Sequence, residues 1–155
     1  FPMSLAVQID QNGGPEVMKL VDVTVGEPGP GEIRIRHKAI GLNFIDVYQR
    51  GGLYPLPMPL KLGMEASGVV EAVGEGVTQF KVGDRVLGAA NGGMAEKVVL
   101  NATTAYPLPD ERSFAEGAAL ILTYGTSIHA LVDRGHIKAG DTLLHQAKQT
   151  AFALF

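Results

Sequence analysis

Polar and apolar residues alternate most cleanly over Glu32-Ile33-Arg34-Ile35-Arg36-His37-Lys38-Ala39, which puts Ile33, Ile35 and His37 on one face and the arginines on the other. That period of two predicts a half-buried strand. The run Val17–Val25 is rich in β-branched residues and alternates in part, which predicts a second strand ended by Gly26-Glu27-Pro28-Gly29-Pro30-Gly31. Glycines then divide 66–99 into short strands near 68–73, 85–87 and 94–100, with turns at 74–76 and 91–93. Many short strands with glycine turns predict a mainly β chain with short helices, folded as a barrel or a strongly bent sheet.

Helical signals are few and local. Asn43 is placed to cap a short helix through its side-chain oxygen, and Gly51-Gly52 ends that helix. Prolines at 55, 57 and 59 predict an ordered surface loop over 53–59. Ser113-Phe114-Ala115-Glu116 has the capping-box spacing and opens an Ala/Leu-rich run. A further helix is expected over 126–133, stopping at Arg134-Gly135 with the glycine left-handed. Lys138–Asp141 reads as a turn.

The 155 residues are 46% hydrophobic and 19% charged with 20 Gly and 9 Pro, which suits one globular, turn-rich domain. Thirteen basic against sixteen acidic residues give a net charge of −3, so no positive field attracts nucleic acid. The chain has no cysteine, which excludes disulfides, thiolate nucleophiles and cysteine-ligated zinc. Apolar runs fall short of the roughly 20 residues a membrane span needs. The N-terminus shows no basic-then-apolar signal pattern, and a cytoplasmic location with no membrane partner is expected. Phe1-Pro2 stand before Met3, which reads as a natural start.

Three groups of residues invite a chemical reading. Gly74-Glu75-Gly76 opens like a phosphate loop, but Gln79 stands where a third small residue would open a helix, so a structural turn is expected. The histidines at 37, 129, 136 and 145 form no pair at ligand spacing. Asn43, Asp46, Tyr48 and Tyr54 gather an amide, a carboxylate and two phenols across a helix start and a rigid loop. Such groups can orient a carbonyl by hydrogen bonding; equally, Asn43 can cap, Asp46 can complement the helix dipole and the tyrosines can pack.

The stretch Gly63-Met64-Glu65-Ala66-Ser67-Gly68-Val69-Val70-Glu71-Ala72-Val73-Gly74-Glu75-Gly76-Val77, running on to Gly83-Asp84-Arg85-Val86, resembles the catalytic-domain signature of the medium-chain dehydrogenase/reductase superfamily. Asn43-Phe44-Ile45-Asp46-Val47-Tyr48 and Gly52-Leu53-Tyr54-Pro55 narrow the resemblance to its zinc-free, NADPH-dependent quinone oxidoreductase branch, which includes the zeta-crystallin-like proteins. The resemblance runs from about Ala6 to Leu144 and implies a GroES-like bent β-barrel catalytic domain. In zinc-dependent alcohol dehydrogenases the positions matching Asn43 and Met64 hold a Cys and a His ligand, so hydride transfer without a metal is implied. Asn43, Asp46, Tyr48 and Tyr54 are the implied catalytic residues: the amide or phenol groups bind the quinone oxygen while Asp46 holds its neighbours. Asn43 and Thr126 are implied beside the nicotinamide of NADPH. Glu65 keeps its family position but by itself makes no site.

Relatives continue past Leu144 with a strand and a glycine-rich loop that binds the pyrophosphate. Here 145–155 reads His-Gln-Ala-Lys-Gln-Thr-Ala-Phe-Ala-Leu-Phe, without glycine, and can form a short amphipathic helix. The expected division is a GroES-like catalytic domain over 3–140 and the start of a truncated or replaced Rossmann cofactor domain over 141–155. Activity of this chain alone is then expected to be absent or much reduced. The implied partner is a quinone or other small electrophile, with a homodimer in the full-length form. Two alternatives stay open: a non-catalytic interaction domain, and a reductase of enones or acyl thioesters.

Overall fold

The structure is a computed structural model that describes residues 3–143 and, by backbone alone, 152–153. The chain is mainly β with short helices, as its alternation requires. Strands β1 (Met3–Ile9), β2 (Lys19–Thr24) and β4 (Leu60–Lys61) form a three-stranded antiparallel sheet in the order β2-β1-β4. A second antiparallel sheet runs β7-β3-β5-β6-β8, from β3 (Glu32–Leu42), β5 (Glu65–Val73), β6 (Arg85–Ala89), β7 (Lys97–Asn101) and β8 (Ala105–Pro107). The long β3 is bent by register shifts at Arg34/Ile35 and His37/Ala39, where an extra residue tightens the local twist. The segment 94–96 joins the sheets: Val7 N–H donates to Met94 O at 2.8 Å and Glu96 N–H to Leu5 O at 2.9 Å.

Ile33 and Ile35 are fully buried, and with Val70, Val86 and Leu100 they form one core cluster. Ile9, Leu62 and Met94 form a second. Ile40 packs against both, so the end of β3 lies where the two cores meet. Gly74–Gly76 is a turn, tied by Gly31 N–H to Glu75 O and Gly74 N–H to Glu32 O, both 2.8 Å. The strands expected at 17–25, 32–39, 68–73, 85–87 and 94–100 appear within a few residues of those positions, while β1, β4 and β8 carry no alternation that announced them.

Helix α1 (Phe44–Gly51) ends on Gly52, which is left-handed at φ 84°. Helix α2 (Phe114–Ala118) starts on the expected box: Glu116 N–H donates to Ser113 Oγ at 3.2 Å and Ser113 N–H to Glu116 Oε2 at 2.8 Å. Helix α3 covers Ile121–Ile128 and continues as a π-helical stretch over His129–Arg134. It therefore starts five residues before the expected 126. The helical stretch stops at Arg134 as expected, but Gly135 stays right-handed at φ −82°, and the left-handed residue is His136 at φ 50°. The wider π turn, closed by Gly135 N–H to Ala130 O, delays the chain reversal by one position. The helix expected over 145–155 lies outside the described residues except at Phe152–Ala153, where the backbone is a short strand, β9, against Gly41–Leu42.

His37 shares its face with the isoleucines but is only half-buried, with Nδ1 2.6 Å from Ala95 O. Burial pushes its imidazole below the ordinary value of 6.5, and the Ala95 carbonyl opposes that in part. The unfolded chain then binds the proton more readily, so stability falls as pH drops below 6.5 through the depressed folded value. Urea titrations from pH 7 to 5 are expected to show a smaller loss of stability in His37→Gln than in the wild type.

Candidate functional site

Strand β3 ends at Leu42, and the chain turns at Asn43, extended at φ −126° and ψ 158°, into α1. Asp46, at the third helical position, fixes this turn. Its Oδ2 accepts the Asn43 N–H at 2.8 Å, and its own N–H donates to Asn43 O at 3.0 Å. Its Oδ1 accepts the Gly63 N–H at 3.1 Å, tying the helix start to the corner between β4 and β5. Both oxygens of this carboxylate, 2% exposed, are spent on backbone donors, which makes Asp46 a brace. Burial pushes its pKa above the ordinary 3.8; the two N–H donors pull it back and the nearby Glu65 charge adds to the rise.

Asn43 and Asp46 stand in a capping-box arrangement at the expected helix start, but the Asn43 side chain itself makes no cap hydrogen bond. With Asp46 serving the helix start, the Asn43 amide turns inward and Nδ2 donates to Glu65 Oε1 at 2.8 Å, a charge-assisted bond stronger than a neutral cap. Glu65 Oε2 accepts the Leu122 N–H at 2.9 Å, in the first turn of α3, where the helix dipole favours a carboxylate. Glu65 is 1% exposed and Asn43 5%. A Cβ on Gly41 would lie 2.5 Å from Glu65 Cγ and 2.5 Å from Ala118 O, so only glycine leaves room for that carboxylate.

Among the described residues, Asn43 Oδ1 is a buried polar atom without a hydrogen-bond partner. Such an atom costs about 1–3 kcal/mol unless a ligand supplies a donor. Tyr48 lies on α1 and Tyr54 just beyond its end, with the Tyr48 ring 6.1 Å from that of Phe44 and 6.0 Å edge-on from that of Tyr54. Gln49 Nε2 donates to Met64 Sδ at 3.7 Å. Thr126 is exposed on α3, the helix that Glu65 caps. Glu65 was the residue missed as a participant; its signal is a lone carboxylate in an otherwise small and apolar run at the start of β5.

A cavity of about 1110 Å³ lies elsewhere, between β6, β8, α2 and α3, lined by Leu87, Tyr106, Leu108, Ile121 and Tyr124 among others. None of Asn43, Asp46, Tyr48 or Tyr54 lines it. Of its polar side chains, Thr103 and Thr104 hold Asn101 and Arg112 holds Glu116, while Tyr106 and Tyr124 are more than half exposed at its wall. A ligand site needs convergent polar groups to fix orientation, so the Asn43 cluster is the better candidate.

With this geometry in view, comparison with known proteins decides the family: residues 29–110 match the alcohol dehydrogenase GroES-like domain. The chain belongs to that family. It is thereby a member of the medium-chain dehydrogenase/reductase superfamily, and its two bent sheets are the GroES-like fold. It is similar to the quinone oxidoreductase of Pseudomonas aeruginosa, 44% identical over 99% of this chain and 48% of the relative. Among solved structures it resembles Escherichia coli quinone oxidoreductase complexed with NADPH, at TM-score 0.76 and 39% identity over 84% of this chain and 41% of that one. A mycobacterial protein complexed with NADPH aligns at TM-score 0.84 and 39% identity, covering 88% and 43%. The chain spans about half the length of the curated relatives it matches. Among the described residues no helix is long and apolar enough to cross a membrane.

Proposed function

We propose that this chain supplies the substrate-binding part of an NADPH-dependent quinone oxidoreductase that works without zinc. The observation that carries the reading is the buried Asn43 Oδ1, without a partner among the described residues, on a residue whose backbone N–H is held by Asp46 and whose Nδ2 is held by Glu65. The nicotinamide of NADPH offers carboxamide N–H donors that fit such an acceptor, and NADPH when bound supplies the hydride. Tyr48 and Tyr54 are proposed to present O–H groups to a quinone oxygen as negative charge builds on it. Asp46 acts as a positioning residue, and Thr126 is proposed to face the cofactor from α3. The positions of the zinc ligands in other branches hold an amide committed to Glu65 and a thioether contacted by Gln49, a donor set unsuited to Zn²⁺. Residues 3–140 are proposed as the catalytic unit.

A second reading has its own observation. Tyr124, Ile128 and Val132 repeat every four residues along α3 and its π-helical continuation, each more than half exposed. A stripe of that kind suits an interaction domain.

The test is a thermal melt of the 155-residue chain with excess duroquinone or NADPH, followed by an assay of NADPH oxidation. A ligand that binds only the folded state raises its midpoint. Duroquinone is expected to raise the midpoint of the wild type and to do so less for Asn43→Ala and Tyr54→Ala. NADPH turnover by this chain is expected to be much reduced, because its sequence carries no glycine fingerprint for the pyrophosphate. No midpoint shift with either ligand, together with concentration-dependent self-association, would favour the interaction domain.

A further inference from the structure

We propose that Glu65 is a positioning residue that sets the polarity of the site, holding the Asn43 amide so that its oxygen, not its nitrogen, is the pole left for a ligand. The inference rests on the reading of Asn43 as part of a nicotinamide and quinone site. Sequence reasoning gave Asn43 the role of an N–H donor to a quinone oxygen. The geometry assigns it the opposite role: Nδ2 is spent on Glu65 Oε1 at 2.8 Å, and Oδ1 is the buried atom without a partner among the described residues. An acceptor there selects a ligand N–H, as in the carboxamide of nicotinamide.

An amide can turn over and exchange its O and N, so something must hold it. Glu65 does so because an ionised carboxylate only accepts, and its second oxygen is occupied by the Leu122 N–H at 2.9 Å. Neither oxygen can present a hydrogen to Asn43, so the amide must offer its nitrogen. Gly41 leaves the space in which the carboxylate sits, and α3 is tied to the same group through Leu122. The lock is therefore built from β3, β5 and α3 together.

Glu65→Gln tests this because a glutamine changes one acceptor into a donor. Its remaining oxygen can keep the Leu122 N–H only if its NH2 faces Asn43. The Asn43 amide then turns over to accept that bond, and its own NH2 becomes the free pole. The measurement is an NMR titration of the ¹⁵N-labelled chain with nicotinamide and, separately, with methyl nicotinate, which is similar in size but lacks the N–H. In the wild type nicotinamide is expected to bind about fivefold tighter, the worth of one ordinary hydrogen bond. In Glu65→Gln that ratio is expected to fall to about one.

An unchanged preference for nicotinamide in Glu65→Gln would overturn the positioning role while leaving the site itself standing. Nicotinamide that leaves the Asn43 side-chain signals of the wild type unmoved would overturn the site, and the inference with it. Should Glu65→Gln fail to fold, the wild type decides: contacts from the Asn43 NH2 protons to the Glu65 γ-methylene in a NOESY spectrum support the lock, and their absence contradicts it.

Discussion

Replacing Gly63 by alanine is expected to cost roughly 4 kcal/mol or more, enough to remove cooperative folding or to lower the melting midpoint by about 10 °C or more. Two independent effects add at this position. Its backbone is left-handed at φ 101°, and a Cβ would lie 2.3 Å from Met94 N. The obstruction is backbone, so no side chain can move aside. Gly63 also donates to Asp46 Oδ1 and accepts from Gly92 and Gly93 N–H at 3.0 and 3.2 Å, so a shift at the corner is felt at the start of α1. Circular dichroism melts of the wild type and Gly63→Ala measure the effect; a change below about 1 kcal/mol would show that this corner yields more than the packing implies.

Asp46→Ala is expected to destabilise the chain by about 2–4 kcal/mol, because it strands the Asn43 and Gly63 N–H groups in the interior and opens a small void. Its pH dependence separates it from an ordinary core truncation. Burial raises the Asp46 pKa, so between 3.8 and the raised value the folded chain holds a proton that the unfolded chain has lost. The stability tied to this group is complete below 3.8 and declines as pH rises through the raised value. Glu116, held low by the Ser113 N–H, acts in the opposite direction, so the informative quantity is the difference between variant and wild type. That difference, from urea titrations at pH 3.5 to 6, is expected to be largest at the acid end. A difference that grows with pH would contradict the assigned direction.

How much of this was legible beforehand depends on how local the cause is. The period of two over 32–39 and the Ser113–Glu116 box are local, and both appear in the structure. The helical stretch ends at Arg134, as the sequence suggested, but the reversal expected on Gly135 falls on His136 because a π turn is not written in residue periodicity. For the site, sequence placed Asn43 and Asp46 at a helix start, which is where they lie. It could not show that Asp46 would take over the capping, since that depends on Gly63, seventeen residues away. The partnership of Asn43 with Glu65 is equally non-local: it needs β3 beside β5 and a glycine at 41 to admit the carboxylate. Sequence could name the amide, but the direction in which it points depends on Glu65, a partner supplied by another strand.

The most direct measurement of the central claim is a ¹⁵N–¹H map of the wild-type chain titrated with duroquinone, a fully substituted quinone unsuited to covalent addition, on a protein that has no cysteine. Saturable shifts clustered on Asn43, Tyr48, Tyr54 and Gly63, and lost in Asn43→Ala, are the expected result. Shifts confined to Tyr106, Leu108, Ile121 and Tyr124 would place the ligand in the groove beside α3 and contradict the assignment of the Asn43 cluster as the functional site.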